Sequence, residues 1–288
     1  MRIQSIQEEP RPAVFYSCLI AKMAVTALVD EAVLTPKPGL VDAATTGSHQ
    51  DMNIETLLTS AYALQPTFSQ IALYSQGKQP SQLLREEIAR IGREGEQIMY
   101  TATDGVNTHK GAIWALGLLA SATAVCGIQA SPASITETAG QIARYADRFC
   151  PLHSSNGLRV KKQYGAKGAA GEAKQGFPRV IHIGLPALHK ARKLGIHETS
   201  ARIDTLVTLI ANLDDTCILH RAGPVVLEEV KMAASNVLEA GGVSTPIGKQ
   251  RLEALDTILL SSNASPGGSA DLLAAVLFLD RISLFKEA

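Results

Sequence analysis

Cysteine, aromatic residues and charge of one sign are all scarce in this chain, and each scarcity closes a class of answers. The four cysteines, Cys18, Cys126, Cys150 and Cys217, lie too far apart for a CxxC site and too sparsely for a disulfide framework in 288 residues. They read as reduced thiols. Lys plus Arg number 27 and Asp plus Glu number 27, so no whole-molecule field holds the chain on nucleic acid or on an anionic membrane. Any anionic partner must be gripped locally. The opening MRIQSIQEEPRPAVFYSC puts Glu8, Glu9 and two prolines where a signal peptide needs an apolar run, which predicts a cytoplasmic protein. The single Trp, Trp114, stands among leucines and reads as core rather than as a base-stacking platform. The Val and Ile runs of parallel strands are missing, and so are fixed-period repeats, a GxxxxGK[ST] phosphate loop and an HExxH zinc motif.

What the chain does have is apolar mass, 46% hydrophobic against 19% charged, far from the composition of disordered chains. Ala- and Leu-rich stretches with three-to-four spacing dominate. They predict helices over 14–34, 53–74, 81–103, 107–128, 134–148, 177–194, 199–213, 225–240, 246–260 and 270–285. Start signals support two of these. Ser131 and Pro132 precede Ser134 and Glu137, which have capping-box spacing, and Thr245 precedes Pro246. The expectation is an all-α, globular multi-helix fold of about ten helices, with 1–288 as a single catalytic domain. The stretch 111–128 is uncharged for 18 residues, near the lower limit for a membrane span, but Gly, Ala, Ser, Thr and Cys fill it and a buried core helix is expected. The weakly periodic 151–171, with Lys161, Lys162 and Lys167 among glycines, reads as a loop over a site.

The chemistry-bearing residues gather in loops and at helix starts. In TPKPGLVD, two prolines bracket Lys37 and hold its amine on a stiff, extended loop suited to a phosphate, with Asp42, His49 and Asp51 following. A plain helix-ending turn with a solvated lysine fits the tripeptide PKP as well. In DGVNTHKG, Asn107 can cap the next helix and leave free amides beside His109 and Lys110, an anion-ready geometry, and Gly111 lets a ligand approach the backbone. In YGAKGAAGEAKQGFP, Glu172 is the only acid among closely spaced glycines, which suits a lid carrying a catalytic carboxylate or an ordinary surface loop. In LDDTCILHRAG, Asp214 and Arg221 fall on one face of a continuous helix, and the adjacent Asp214 and Asp215 can hold Mg²⁺ or complement the helix dipole. NASPGGSAD offers a Gly-rich helix start with Ser269 and Asp271, or a Ser-Pro cap.

Taken in order, TPKPGLVD, GSHQDMN, GVNTHKGAIWALGLL, GEAKQGFP, LDDTCILHRAG and NASPGGSADLLA resemble the triphosphoribosyl-dephospho-coenzyme A synthases between Thr35 and Leu279. That family is also called the ATP:dephospho-coenzyme A triphosphoribosyltransferases. The resemblance implies an all-α, cytoplasmic, bacterial enzyme that moves the triphosphoribosyl group of ATP to the ribose 2′-hydroxyl of 3′-dephospho-coenzyme A and releases adenine. The product is the precursor of an acyl carrier protein's prosthetic group, passed on to the transferase that forms the holo carrier. GVNTHKGAIWALGLL and DDTCILHRAG look more like the malonate decarboxylase branch than the citrate lyase branch. Family members commonly carry arginine where this chain has Ala43 and Ala170.

With that chemistry in mind, Lys37, His49, Asn107, His109, Lys110, Arg221, Ser269 and Asp271 are expected on the substrates. Glu172 or Asp51 is expected as the base, and Asp42, Asp214 and Asp215 around Mg²⁺. Two other readings stay open: a non-catalytic helical nucleotide-binding or scaffold protein, and Mg²⁺-dependent diphosphate chemistry, for which DDTCI lacks the third acid of a DDxxD motif.

Overall fold

The computed structural model describes residues 12–150 and 156–287. Among these residues there is no strand, and the chain forms thirteen α-helices and one π-helical turn, as the all-α expectation requires. In order they are α1 (Pro12–Val33), α2 (Ile54–Ala63), α3 (Gln65–Ser75), α4 (Gln82–Ala102), α5 (Lys110–Cys126), α6 (Pro132–Arg144), α7 (Asn156–Tyr164), α8 (Gly168–Lys174), the π turn Val180–Gly184, α9 (Leu185–Lys193), α10 (Glu198–Asn212), α11 (Thr216–Glu239), α12 (Pro246–Ser261) and α13 (Gly267–Glu287).

Three helices that are apolar on nearly every side, α1, α5 and α13, pack against one another at the centre. A helix without a polar face has to be enclosed. In α5, Ala112, Ile113 and every residue from Ala115 to Thr123 are buried, so the stretch first weighed as a membrane span lies inside the protein. Helix α1 is also long and apolar enough to cross a bilayer, yet Ile20, Ala21, Ala24, Ala27 and Leu28 are buried against its neighbours α3, α13 and α2. The amphipathic α4, α6 and α10 surround this trio and turn their polar faces outward. The core runs without a break from Ile20 to Ile282, and a small satellite of Ala32, Val41 and Leu57 pins the loop after α1.

Several boundaries differ from the sequence expectation for identifiable reasons. The helix expected over 53–74 is two helices broken at Leu64, because Pro66 has no amide hydrogen and its ring excludes the carbonyl one turn earlier. The helix expected over 177–194 opens as a π turn and continues as α9 with Pro186 in its first turn, where the missing donor costs nothing. The expected loop over 151–171 is largely helical, as α7 and α8, with left-handed Gly165 between them and left-handed Gly168 opening α8; its first five residues lie outside those described. Helix α6 is capped by Ser131, which accepts from the Ser134 amide at 3.2 Å, so Ser134 and Glu137 do not form a capping box. Helix α11 consists of two helical segments that meet at a kink at Gly223, where φ is 81° and Pro224 follows, so the helix expected from 225 is its second segment and the turns from Thr216 are an additional first one.

Candidate active site

The C-terminal end of α1 and the N-terminal ends of α5, α11 and α13 meet around a cleft of about 270 Å³. Three helix N-termini at one place bring the positive ends of three peptide dipoles together, which is an environment for anions. Glu31, Lys37, His49, Asn107, His109, Lys110, Arg221 and Asp271 supply the charged and polar lining, beside Thr108, Thr216, Cys217, His220 and Ser265. Leu28, Leu40, Val41, Met52 and Leu57 form an apolar wall.

One side of the cleft is the loop between α1 and α2. Lys37 is 3% exposed, and its ammonium donates to Glu31 Oε1 at 2.6 Å and to the Glu31 carbonyl at 2.7 Å. This pairing makes the loop rigid, because a buried ammonium without its carboxylate would be strongly destabilising. The loop closes on Asp42, whose Oδ1 accepts from the amides of Ala44 and Thr45, both at 2.8 Å, while Oδ2 accepts from the Lys37 amide at 2.9 Å. Further along, His49 Nε2 and Ser265 Oγ lie 3.0 Å apart, and Arg221 donates to the Ser48 carbonyl at 2.9 Å with a second nitrogen 3.3 Å from His49 Nδ1. Burial, and then the Arg221 charge, push the His49 pKa down against the opposing pull of Asp51, so the imidazole is neutral at neutral pH.

The opposite side is the start of α5. Thr108 donates its hydroxyl to Ser60 Oγ at 2.6 Å, and Ser60 Oγ lies 2.8 Å from His109 Nδ1. With Ser60 already accepting from Thr108, its own hydrogen goes to Nδ1, which puts the imidazole proton on Nε2. Among the described residues that buried Nε2 has no partner, and His109 lines the cleft, so its N–H is available to an incoming acceptor. Burial, aided by the Lys37 charge, lowers the His109 pKa to about 4. Lys110 pairs with Glu96 at 2.8 Å. Burial works against its charge but the Glu96 carboxylate outweighs it, and the net shift is upward.

Two carboxylates stand at the third side. Asp215 is the N-cap of α11 and is 1% exposed; its Oδ1 accepts from the Cys217 amide at 2.8 Å and the Gly268 amide at 3.3 Å, and its Oδ2 from the Ser269 amide at 2.8 Å and hydroxyl at 3.0 Å. One carboxylate thereby ties the starts of α11 and α13 together. Asp271, one turn into α13, is half-buried on the cleft wall. Its pKa is raised well above the usual carboxylate range by desolvation first, then by the Glu31 and Asp215 charges, with only the Ala112 amide favouring ionisation. It presses so close to α5 that a Cβ on Gly111 would lie 1.9 Å from its Oδ2. The group that the small Gly111 admits is the Asp271 carboxyl.

A family model described as ATP:dephospho-CoA triphosphoribosyl transferase matches residues 18–287. The chain belongs to this transferase family. A relative from Klebsiella pneumoniae, named 2-(5''-triphosphoribosyl)-3'-dephosphocoenzyme-A synthase, is 47% identical over 264 residues, covering 92% of this chain and 94% of its own. A Pseudomonas fluorescens protein with the same name as a provisional assignment is 48% identical over 267 residues, 91% of each chain. Among solved structures, an Archaeoglobus fulgidus protein provisionally assigned as a triphosphoribosyl-dephospho-coA synthase has the same fold, with a TM-score of 0.54 at 21% identity over 78% of this chain and 98% of that one.

Against this transferase assignment, the cleft collects Lys37, His49, Asn107, His109, Lys110, Arg221 and Asp271 from four distant stretches of sequence. Asn107 does not cap α5 as expected: the helix begins at Lys110 with His109 in the cap position, and Asn107 Oδ1 accepts from the Lys110 amide at 3.4 Å. Asp51 stays at the rim, exposed and 3.6 Å from His49 Nδ1. Ser269 is sealed behind the lining, bound to Asp215. Glu172 lies outside the cleft lining on α8, with Oε1 accepting the Arg179 amide at 2.7 Å and Oε2 accepting its guanidinium at 2.8 Å. Both of its oxygens hold the chain end of α8 rather than facing a ligand. The three acids expected around Mg²⁺ do not make a ligand set: Asp42 is filled by three amides, Asp215 by four donors, and Asp214 is half-exposed and paired with Lys231 at 2.9 Å. Nor does Asp214 pair with Arg221, since Asp214 precedes the helix on which Arg221 lies. The residue missed by sequence reasoning is Glu31. Its signal was an acid near the end of an apolar helix, six positions before the proline-braced Lys37.

Proposed function

We propose that this transferase moves the triphosphoribosyl group of ATP to the ribose 2′-hydroxyl of 3′-dephospho-CoA and releases adenine. The observation that carries the reading is the meeting of three helix N-termini and the cations Lys110 and Arg221 with Asp271, a carboxyl whose protonated form is favoured by burial and like charges, in one cleft. A triphosphate has to be held without being cleaved, and helix amides with fixed cations do that. The bond that breaks is ribose C1 to adenine N9, so the departing base needs a proton and the sugar passes through oxocarbenium character, as in glycoside cleavage. Asp271 is suited to the first task, because desolvation and the Glu31 and Asp215 charges favour its protonated form, and the carboxylate left behind can take the proton of the attacking 2′-hydroxyl. Neutral His109, with its free Nε2–H, is suited to hold an acceptor atom of the base or phosphate in place. Glu31 shares the cleft with Lys37 and supplies negative charge near the developing cation.

Mg²⁺ is assigned to ATP itself, carried by phosphate oxygens and water, since Asp42, Asp214 and Asp215 are committed elsewhere. The downstream partner in this reading is the holo-forming transferase of the malonate decarboxylase carrier protein, on the strength of GVNTHKGAIWALGLL and DDTCILHRAG. Deleting the coding sequence from its host and weighing the carrier subunits tests that choice: loss of the prosthetic-group mass from a citrate lyase carrier would redirect it. The reaction itself is tested by mass spectrometry of an incubation with ATP and dephospho-CoA. Free adenine and a coenzyme adduct enlarged by a triphosphoribosyl unit are expected, in equal amounts and only when both substrates are present. Stoichiometric ADP or pyrophosphate would overturn the reaction type.

A further inference from the structure

Arg85 lies in the first turn of α4, outside the cleft lining, and only 5% of its surface is exposed. A guanidinium taken out of water usually ends on a carboxylate, because an uncompensated buried charge is strongly unfavourable. Here the nearby acids are already engaged. Asp147 is held by Arg93, and Glu86 by Arg148 and Gln82. Among the described residues Arg85 forms no ion pair, and its buried Nε has no hydrogen-bond partner. Its one close contact of note is the ring of Trp114, whose centroid lies 4.8 Å from the guanidinium carbon. The indole is anchored in turn, its Nε1 donating to the Ala169 carbonyl at 3.4 Å. A guanidinium held over an aromatic face by cation–π attraction keeps its N–H donors for other partners.

The position of the pair relates it to the cleft. Trp114 follows Lys110 by four residues on α5, which places both on one face of that helix, and Lys110 is a cleft residue. Arg85, held over the ring of Trp114, therefore stands one turn of α5 away from a cleft residue. Burial pushes the Arg85 pKa down, with Asp147 opposing, yet a guanidinium starts so high that it stays charged at any working pH.

We propose that Arg85, held over the ring of Trp114, is a second oxyanion subsite that receives a phosphoryl group of a substrate extending from the cleft past Lys110. The planar fork suits two phosphate oxygens at once, and an arriving anion would supply the charge partner that Arg85 lacks among the described residues. The identity of the substrates rests on the functional reading above. Two groups have the right chemistry, the triphosphate of ATP and the diphosphate of dephospho-CoA.

Calorimetric titration of inorganic diphosphate, ATP and dephospho-CoA into the wild type, Arg85→Met and Arg85→Lys, with a melting curve for each protein, tests the proposal. Arg85→Met is expected to melt no lower than the wild type, to lose at least about tenfold in affinity for diphosphate and for one of the two substrates, and to be more impaired than Arg85→Lys. A loss confined to dephospho-CoA assigns the subsite to the acceptor, and a loss confined to ATP assigns it to the donor. Equal affinities for all three ligands in wild type and variants overturn the proposal, as does a wild type that does not bind diphosphate. An Arg85→Met protein that melts far below the wild type, together with an Arg85→Lys protein that binds like it, makes Arg85 a packing residue and overturns it too. If the wild type binds diphosphate but neither nucleotide, the functional reading falls, and the diphosphate comparison alone decides the subsite.

Discussion

The start of α11 and the start of α13 each place an aspartate at the same corner of the fold, and the two are used in opposite ways. Asp215 is sealed from solvent and accepts four hydrogen bonds, from Cys217, Gly268 and both donors of Ser269. Asp271, on the cleft wall, has the Ala112 amide alone to favour its charge, and it faces the repulsion of Glu31 and Asp215. The first carboxylate has spent its lone pairs on architecture. In the second, burial and like charges favour the protonated form. Residue type and even neighbourhood are the same, so the count of donors around a carboxylate, more than its presence near a site, separates a structural acid from a chemical one.

Substitutions sharpen this contrast. Asp215→Ala removes the α11 cap and strands the amides it serves, and is expected to cost about 4 kcal/mol in denaturant unfolding; a variant of near wild-type stability would break the contrast from the structural side. His109→Gln tests the cleft's burial through pH. The folded-state pKa of about 4 lies below the unfolded value of 6.5, so the unfolded chain binds the extra proton, and this stability is fully present above pH 6.5 and lost as pH falls toward 4. The loss from this residue is on the order of 3 kcal/mol. Unfolding measured at several pH values should therefore show a flatter acid limb in His109→Gln than in the wild type. Glu172→Gln weakens the paired contacts to Arg179 and is expected to lower stability by about 2 kcal/mol while adenine release stays within about twofold of the wild type. A large loss of rate at intact stability would return Glu172 to the chemistry. The smallest effect belongs to Asp214→Ala, where a half-exposed pair with Lys231 is worth less than about 1 kcal/mol in the same unfolding assay.

The same distinction explains what the sequence made legible. Helices were readable because their signals are local: apolar spacing, Ser131 and Thr245 as caps, and prolines at helix starts. Their breaks were less so, since Pro66 and Pro186 lie inside runs that remain apolar on either side. The site's loops were readable because residues such as Lys37, Lys110 and Arg221 sit beside prolines or glycines at element ends. The division of labour among the acids was not. Whether Asp42, Asp215 or Asp271 meets amides or open cleft depends on backbone brought from elsewhere in the fold, such as the α13 amides that fill Asp215. Glu31 was hidden for the converse reason: its helix reads as core throughout, and only the return of Lys37 gives the charge a partner.

The central claim, that the under-satisfied carboxyl of Asp271 protonates the departing base, is tested most directly by Asp271→Asn. Asparagine keeps the shape and the acceptor for Ala112 but cannot give up a proton. Adenine release followed in a single turnover with ATP and dephospho-CoA should slow by at least about 100-fold, while ATP affinity stays within about twofold of the wild type. Release at the wild-type rate from a correctly folded Asp271→Asn protein would contradict the account.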